Sequence, residues 1–170
     1  LIGYASRNRR KGNHVLITEA EQISILNIAK HLQKNGFTVT RVPIDLYGRV
    51  SPKKLRARVT DETILVSVGW ASDEIGTVQP IADIAEMLEG TGIVLHSDAV
   101  AAEGLLPLDM SAVPVGLMSL SSNDLYGPRG LGALYVRKGV QLAPVTVGGG
   151  QERGLRSGTE DVAAIAGMAA

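Results

Sequence analysis

Hydrophobic and polar positions alternate between strand-like and helix-like spacing along most of the chain. His14-Val15-Leu16-Ile17-Thr18 follows the polar stretch Arg7 to Asn13 and predicts a buried strand. Residues 20–34 keep a helical period, with Ile23, Leu26, Ile28, Ala29 and Leu32 on one broad face. Asn35-Gly36 supplies the stop, and Phe37 to Val42 alternates as a second strand. Tyr47-Gly48 turns the chain, and Ser51-Pro52 is an N-cap followed by proline at the first helical position. That helix carries Leu55 and Val59 inward and ends before Asp61. Thr63 to Val68 is a nearly continuous apolar run, as in a parallel strand covered on both faces.

Gly69 to Thr77 is expected as a loop, leading into a helix over Pro80 to Leu88 that Gly90 and Gly92 end. Ile93 to His96 predicts the next strand, with Ser97-Asp98 at its tip. Leu117 to Val136 has the order strand, polar tip (Ser121 to Asp124), Gly/Pro turn, strand, which is how an open α/β sheet presents side chains at a ligand crevice. Gln151 to Thr159 is a polar loop before a last helix from Asp161. Strands alternating with helices of this length imply an α/β fold, a mostly parallel sheet flanked by helices, with right-handed crossovers. Residues 1–170 are expected to form a single, partial domain.

Composition narrows the chemistry. With 45% hydrophobic and 20% charged residues the 170-residue chain has the make-up of a globular protein with a sizeable core. A net charge of zero gives no electrostatic footprint for nucleic acid or an anionic membrane. No apolar run approaches the roughly 20 residues of a membrane span, and no basic-then-apolar leader is present, so a cytoplasmic setting is the default. Without cysteine there is no disulfide, thiolate metal site or thiol nucleophile. His14, His31 and His96 show no ligand spacing, so no metal is expected, and His96 fits a strand-end histidine. Ser121 and Asp124 have no nearby histidine to complete a hydrolase triad, and Gly148-Gly149-Gly150 does not open a helix as a phosphate fingerprint would.

The stretch LMSLSSNDLYGPRGLGALYV (residues 117–136) resembles the cofactor-lysine segment of cysteine desulfurases, pyridoxal 5'-phosphate (PLP) enzymes that take sulfur from cysteine. There the segment reads approximately S-x-S-x-H-K-x-Y-G-P-K-G-x-G-A-L-Y. Asn123 stands at the histidine position and Asp124 at the lysine position. The resemblance runs from about Gly12 to the end, through residues 63–79 (TILVSVGWASDEIGTVQ), 96–107 (HSDAVAAEGLLP) and 148–159. It implies the large domain of the PLP aminotransferase-like fold, within a homodimer whose cofactor sites lie at the subunit boundary. The N- and C-terminal parts of the family fold, with a phosphate-binding threonine turn and a mobile catalytic cysteine, are expected to be absent from this stretch.

By the same resemblance Asp98 is the partner of the pyridine nitrogen, where a carboxylate keeps the ring protonated; its structural alternative is to cap the next turn. Ser121 matches a phosphate-binding hydroxyl, and Thr159 one donated across the dimer, with a strand-end serine and a helix N-cap as the structural alternatives. Arg156 fits a loop-bracing arginine as well as a substrate contact. Other expected positions have changed. Gln22 replaces the ring-stacking histidine, Asp73 an asparagine and Ala101 a glutamine that donate to the ring oxygen, Asn123 the phosphate-side histidine and Asp124 the Schiff-base lysine. Like charges about 4 Å apart at an effective dielectric of about 20 cost roughly 4 kcal/mol, so Asp73 and Asp124 oppose an anionic cofactor.

The expectation is a cysteine-desulfurase-family protein of sulfur mobilisation and iron–sulfur cluster assembly, without lysine-dependent PLP chemistry and with no catalytic residue intact. Its expected partners are a second copy and an iron–sulfur scaffold or sulfur-acceptor protein. The alternatives are a catalytically inactive homologue serving as an assembly or scaffold protein, or a piece of another class-V PLP enzyme such as a selenocysteine lyase or aminotransferase.

Overall fold

The computed structural model describes residues 1–170. Six strands form the main sheet: β1 (His14–Thr18), β2 (Thr38–Val42), β3 (Thr63–Ser67), β6 (Val94–Asp98), β7 (Leu117–Ser121) and β8 (Gly132–Val136). Their order is β2-β1-β3-β6-β7-β8, with every neighbouring pair parallel except β7 and β8. A separate antiparallel pair, β4 (Ala71–Ser72) and β5 (Thr77–Val78), follows β3. The helices are α1 (Ile2–Asn8), α2 (Ile23–Lys34), α3 (Pro52–Arg56), α4 (Ile81–Leu88) and α5 (Val162–Ala169).

β1 and β3 are buried along their whole length, which is why their sequences carry apolar runs rather than clean alternation. Successive residues still point to opposite faces. Leu16, Val66 and Leu95 pack with Leu55, Ile81, Ile84 and Leu88 on the α3/α4 side. Val15, Ile17 and Leu65 pack with Tyr4, Ala5, Ile25, Ala29 and Leu32 on the α1/α2 side. The sheet is therefore the middle layer of three.

Turn chemistry sets the boundaries. Ser51 Oγ accepts from Lys54 N at 3.4 Å, with Pro52 at the first helical position, as the sequence predicts. Gly36 takes φ +80° directly after α2, a conformation that glycine adopts without steric cost. Asp161, not Thr159, caps α5: its Oδ1 accepts from Ala164 N at 3.0 Å.

Three features depart from the expected elements. α1 occupies part of the stretch expected to be polar, because Tyr4 and Ala5 bury against the sheet and Asn8 Nδ2 donates to Tyr4 O and Gln141 O. The loop after β3 contains the β4–β5 pair, closed by a bond from Gly76 N to Ser72 O. β8 lies at the sheet edge with Gly132, Ala133 and Leu134 exposed, so its apolar run is not a core run.

Leu16 is fully buried and Leu46 fully exposed. Leu16→Ala is expected to destabilise by about 2–5 kcal/mol and Leu46→Ala by less than about 0.5 kcal/mol, compared by urea unfolding.

Candidate functional site

β1 has β2 on one side and β3 on the other, so the strand order reverses between β1 and β3. In open α/β sheets ligands bind outside the carboxyl ends of the strands at such a reversal. The segments leaving β1, β3, β6 and β7 carry Glu21, Gly69, Asp98, Glu103, Ser121 and Asp124 to that edge. An open cavity of about 520 Å³, lined by His14, Thr40 and Thr60, lies at the amino end of β1. There both ring nitrogens of His14 are engaged by Thr63 and Thr40 hydroxyls, at 2.7 and 2.9 Å, leaving no free nitrogen for chemistry.

Glu21 follows β1 and is 7% exposed. Its Oε1 accepts from Thr18 Oγ1 at 2.6 Å and from Gly69 N at 3.1 Å, joining the exits of β1 and β3. Its Oε2 is buried without a partner. Asp98, the last residue of β6, accepts from Val100 N at 3.2 Å, so it does cap the turn that follows. That turn brings round Glu103, 5% exposed, whose Oε1 accepts from Ser121 N at 2.7 Å while its Oε2 also lacks a partner.

On balance the surroundings of these groups disfavour negative charge. Burial is the main cause that pushes the Glu21 carboxyl up to about 7, with the Asp98 charge adding to it against the hydrogen bonds from Thr18 and Gly69. Burial and then the Asp124 charge raise the Asp98 carboxyl, offset in part by Val100 N–H. Burial raises Glu103 too, helped by Asp124 and Asp98 and opposed by Ser121 N–H. No lysine or arginine is among the groups acting on any of the three.

The structure thus brings Asp98, Ser121 and Asp124 together at one edge and adds Glu21 and Glu103, which sequence reasoning missed. Ala101 lies in the turn between Asp98 and Glu103. Gln22 is exposed, sits at the start of α2 and accepts from Ser24 Oγ at 2.7 Å. Asp73 is exposed in the β4–β5 turn, and Asn123 is exposed with its carbonyl holding Tyr126 N. Thr159 is exposed and makes no hydrogen bond to the crevice residues; Arg156 turns back on its own loop, donating to Ser157 O at 3.3 Å. His96 is buried between Ser67 Oγ and Ser119 Oγ, 2.9 Å from each, and burial pushes it down to about 3. It braces three strands as a neutral ring.

These residues do not fit PLP. Ser121, which the resemblance assigns to its phosphate, already has its backbone N–H taken by Glu103. Besides the serine hydroxyls of the tip, the groups around it are carboxylates, two of which keep a buried oxygen without a hydrogen-bond donor. Asp124 offers no amine for an imine.

The pH dependence follows from Glu21. Its folded value of about 7 exceeds the ordinary 4.5, so the protonated form favours the fold. That stabilisation is complete below about 4.5 and is lost as pH rises through about 7. Glu21→Gln keeps an acceptor for Thr18 and Gly69 without the charge. The variant is expected to gain on the parent by up to about 3 kcal/mol between pH 4.5 and 7.5, by urea unfolding at both values. A difference that stays flat across this window contradicts the assignment.

Comparison with known proteins agrees with this fold. The aminotransferase class-V family model matches residues 1–170. Cysteine desulfurase IscS 1 of Archaeoglobus fulgidus is 51% identical over 168 residues, covering 99% of this chain and 44% of the relative. Cysteine desulfurase IscS of Clostridium botulinum (strain Kyoto) is 46% identical, with 99% and 42% covered. Among solved structures, a NifS-like protein superposes with a TM-score of 0.95 at 36% identity, and DndA from Streptomyces lividans with 0.93 at 34%; each match covers 99% of this chain and 47% and 49% of theirs. The chain spans a little under half the length of these relatives. It belongs to the class-V aminotransferase family, on the cysteine desulfurase branch.

Proposed function

We propose that the chain serves sulfur mobilisation and iron–sulfur cluster assembly without carrying lysine-dependent PLP chemistry itself. The observation that carries this reading is Asp124 at the lysine position, beside Asn123 at the histidine position, with its charge acting on Asp98 and Glu103. Lysine loss removes the imine-forming amine, and three carboxylates around one strand tip disfavour the phosphate that anchors the cofactor. Of the residues the resemblance assigns to PLP, only Asp98, Ser121 and Thr159 keep side chains of the expected type.

What remains is a scaffold. Val162 (72% exposed) and Ile165 (41%) on α5 and Leu134 (49%) on β8 leave apolar surface uncovered. The partners this reading takes from the family resemblance are a second copy and an iron–sulfur scaffold or sulfur-acceptor protein, in a cytoplasmic setting. No helix is long and apolar enough to cross a membrane. An assembly role is favoured over a piece of a working selenocysteine lyase or aminotransferase, because those activities need the same lysine.

Two measurements test the reading. After mixing with PLP and desalting, the protein is expected to retain no cofactor absorbance band and to yield no adduct on borohydride treatment; a retained band that cysteine shifts overturns it. Light scattering is expected to give a dimer, and a clean monomer counts against the second copy as partner.

A further inference from the structure

The β7 tip holds a donor that the sheet does not use. β6 ends at Asp98, which pairs with Ser119, and the last bond between the two strands runs from Ala99 N to Ser119 O at 3.0 Å. On the other side of β7, Ser122 N donates to Leu131 O next to β8. Alternate residues of a strand present their N–H to opposite sides. Ser121 N therefore points to the side that β6 has already left, and the ladder offers it nothing. A backbone N–H at a strand's carboxyl end, beside a ligand crevice, is the donor that an incoming oxyanion takes.

Glu103 takes it instead. The turn after β6 closes through bonds from Glu103 N to Ala99 O (2.9 Å) and Leu106 N to Ala102 O (2.8 Å), and this folds the carboxylate back onto Ser121 N at 2.7 Å. The side chain is buried, so the contact does not exchange readily with water. Its second oxygen has no donor, and the charges of Asp124 and Asp98 act on the carboxyl with the same sign. No lysine or arginine acts on this carboxyl to compensate a second anion placed there.

We propose that Glu103 is the specificity-determining residue of the crevice: an internal carboxylate that occupies the strand-tip N–H of Ser121 and closes the site to phosphate and related oxyanions. The proposal rests on the reading that this crevice does not hold the phosphate of PLP, and it names the residue responsible. Asp124 contributes charge at a distance, whereas Glu103 both fills the position and supplies charge at the donor itself.

Inorganic phosphate, titrated at neutral pH against the 15N-labelled protein with the Ser121 amide resonance as readout, separates these contributions. Glu103→Ala vacates the donor and removes the charge; it is expected to bind phosphate at Ser121 at least about tenfold more tightly than the parent, the worth of one charge-assisted hydrogen bond. Glu103→Gln removes the charge but keeps an acceptor on Ser121 N, so a gain of roughly threefold is expected, with Asp124→Asn below that. The proposal is overturned if Glu103→Ala binds no more tightly than the parent, or if Asp124→Asn alone gives the same gain. Should Glu103→Ala fail to fold by circular dichroism, Glu103→Gln decides: a gain of about threefold supports the proposal and no gain overturns it. PLP retention by the parent, measured separately, would sink the functional reading, while the phosphate ranking of the variants still decides the role of Glu103.

Discussion

A carboxylate taken out of water must gain a proton, collect donors or meet a cation. At the carboxyl edge of this sheet the donors are backbone and hydroxyl groups of other segments, and no cation is supplied. Glu21 draws on Thr18 and Gly69, so it joins the exits of β1 and β3 at the point where the strand order reverses. Glu103 draws on Ser121, so it joins the exit of β6 to the tip of β7. The same side chains that hold the crevice walls in register make it hostile to a further anion. Loop geometry and ligand preference are set by one set of bonds.

The frame around Asp124 survives although its chemistry has changed. A Cβ on Gly127 would come 2.5 Å from Ser122 Oγ and one on Gly167 would come 2.7 Å from Pro128 Cγ, so the turn after Asp124 packs at distances that only glycine permits. Tyr126 accepts φ +59° in the same turn. These constraints act on backbone shape and are indifferent to whether residue 124 is a lysine or an aspartate. Fold and reaction are separable for this reason, and membership of a catalytic family does not carry the reaction with it.

Legibility in the sequence followed the same division. β1, β3 and α4 were readable because burial on both faces of the sheet writes continuous or periodic apolar runs. α1 was not, since its seven residues end in Arg7-Asn8 and Asn8 is buried through bonds to Tyr4 and Gln141 that no local pattern announces. β4 and β5, at two residues each, are too short to have a period. In the site, Asp98, Ser121 and Asp124 were recognisable from their motifs. Glu21 and Glu103 were not, because the groups that give them meaning, Gly69 and Ser121, lie 48 and 18 residues away. One local signal was available: Glu103 is the only charge in the stretch AVAAEGLLP.

Carboxylates without a cation set the ligand preference of the crevice, and their protonation is directly observable. A 13C NMR titration of the side-chain carboxyl groups should find Glu21 titrating near 7, with Asp98 and Glu103 above their ordinary ranges, and Asp124→Asn should lower Asp98 and Glu103. Carboxyls that all titrate at ordinary values, unmoved by that substitution, would mean that the crevice is hydrated or charge-compensated, and the exclusion of phosphate would lose its physical basis.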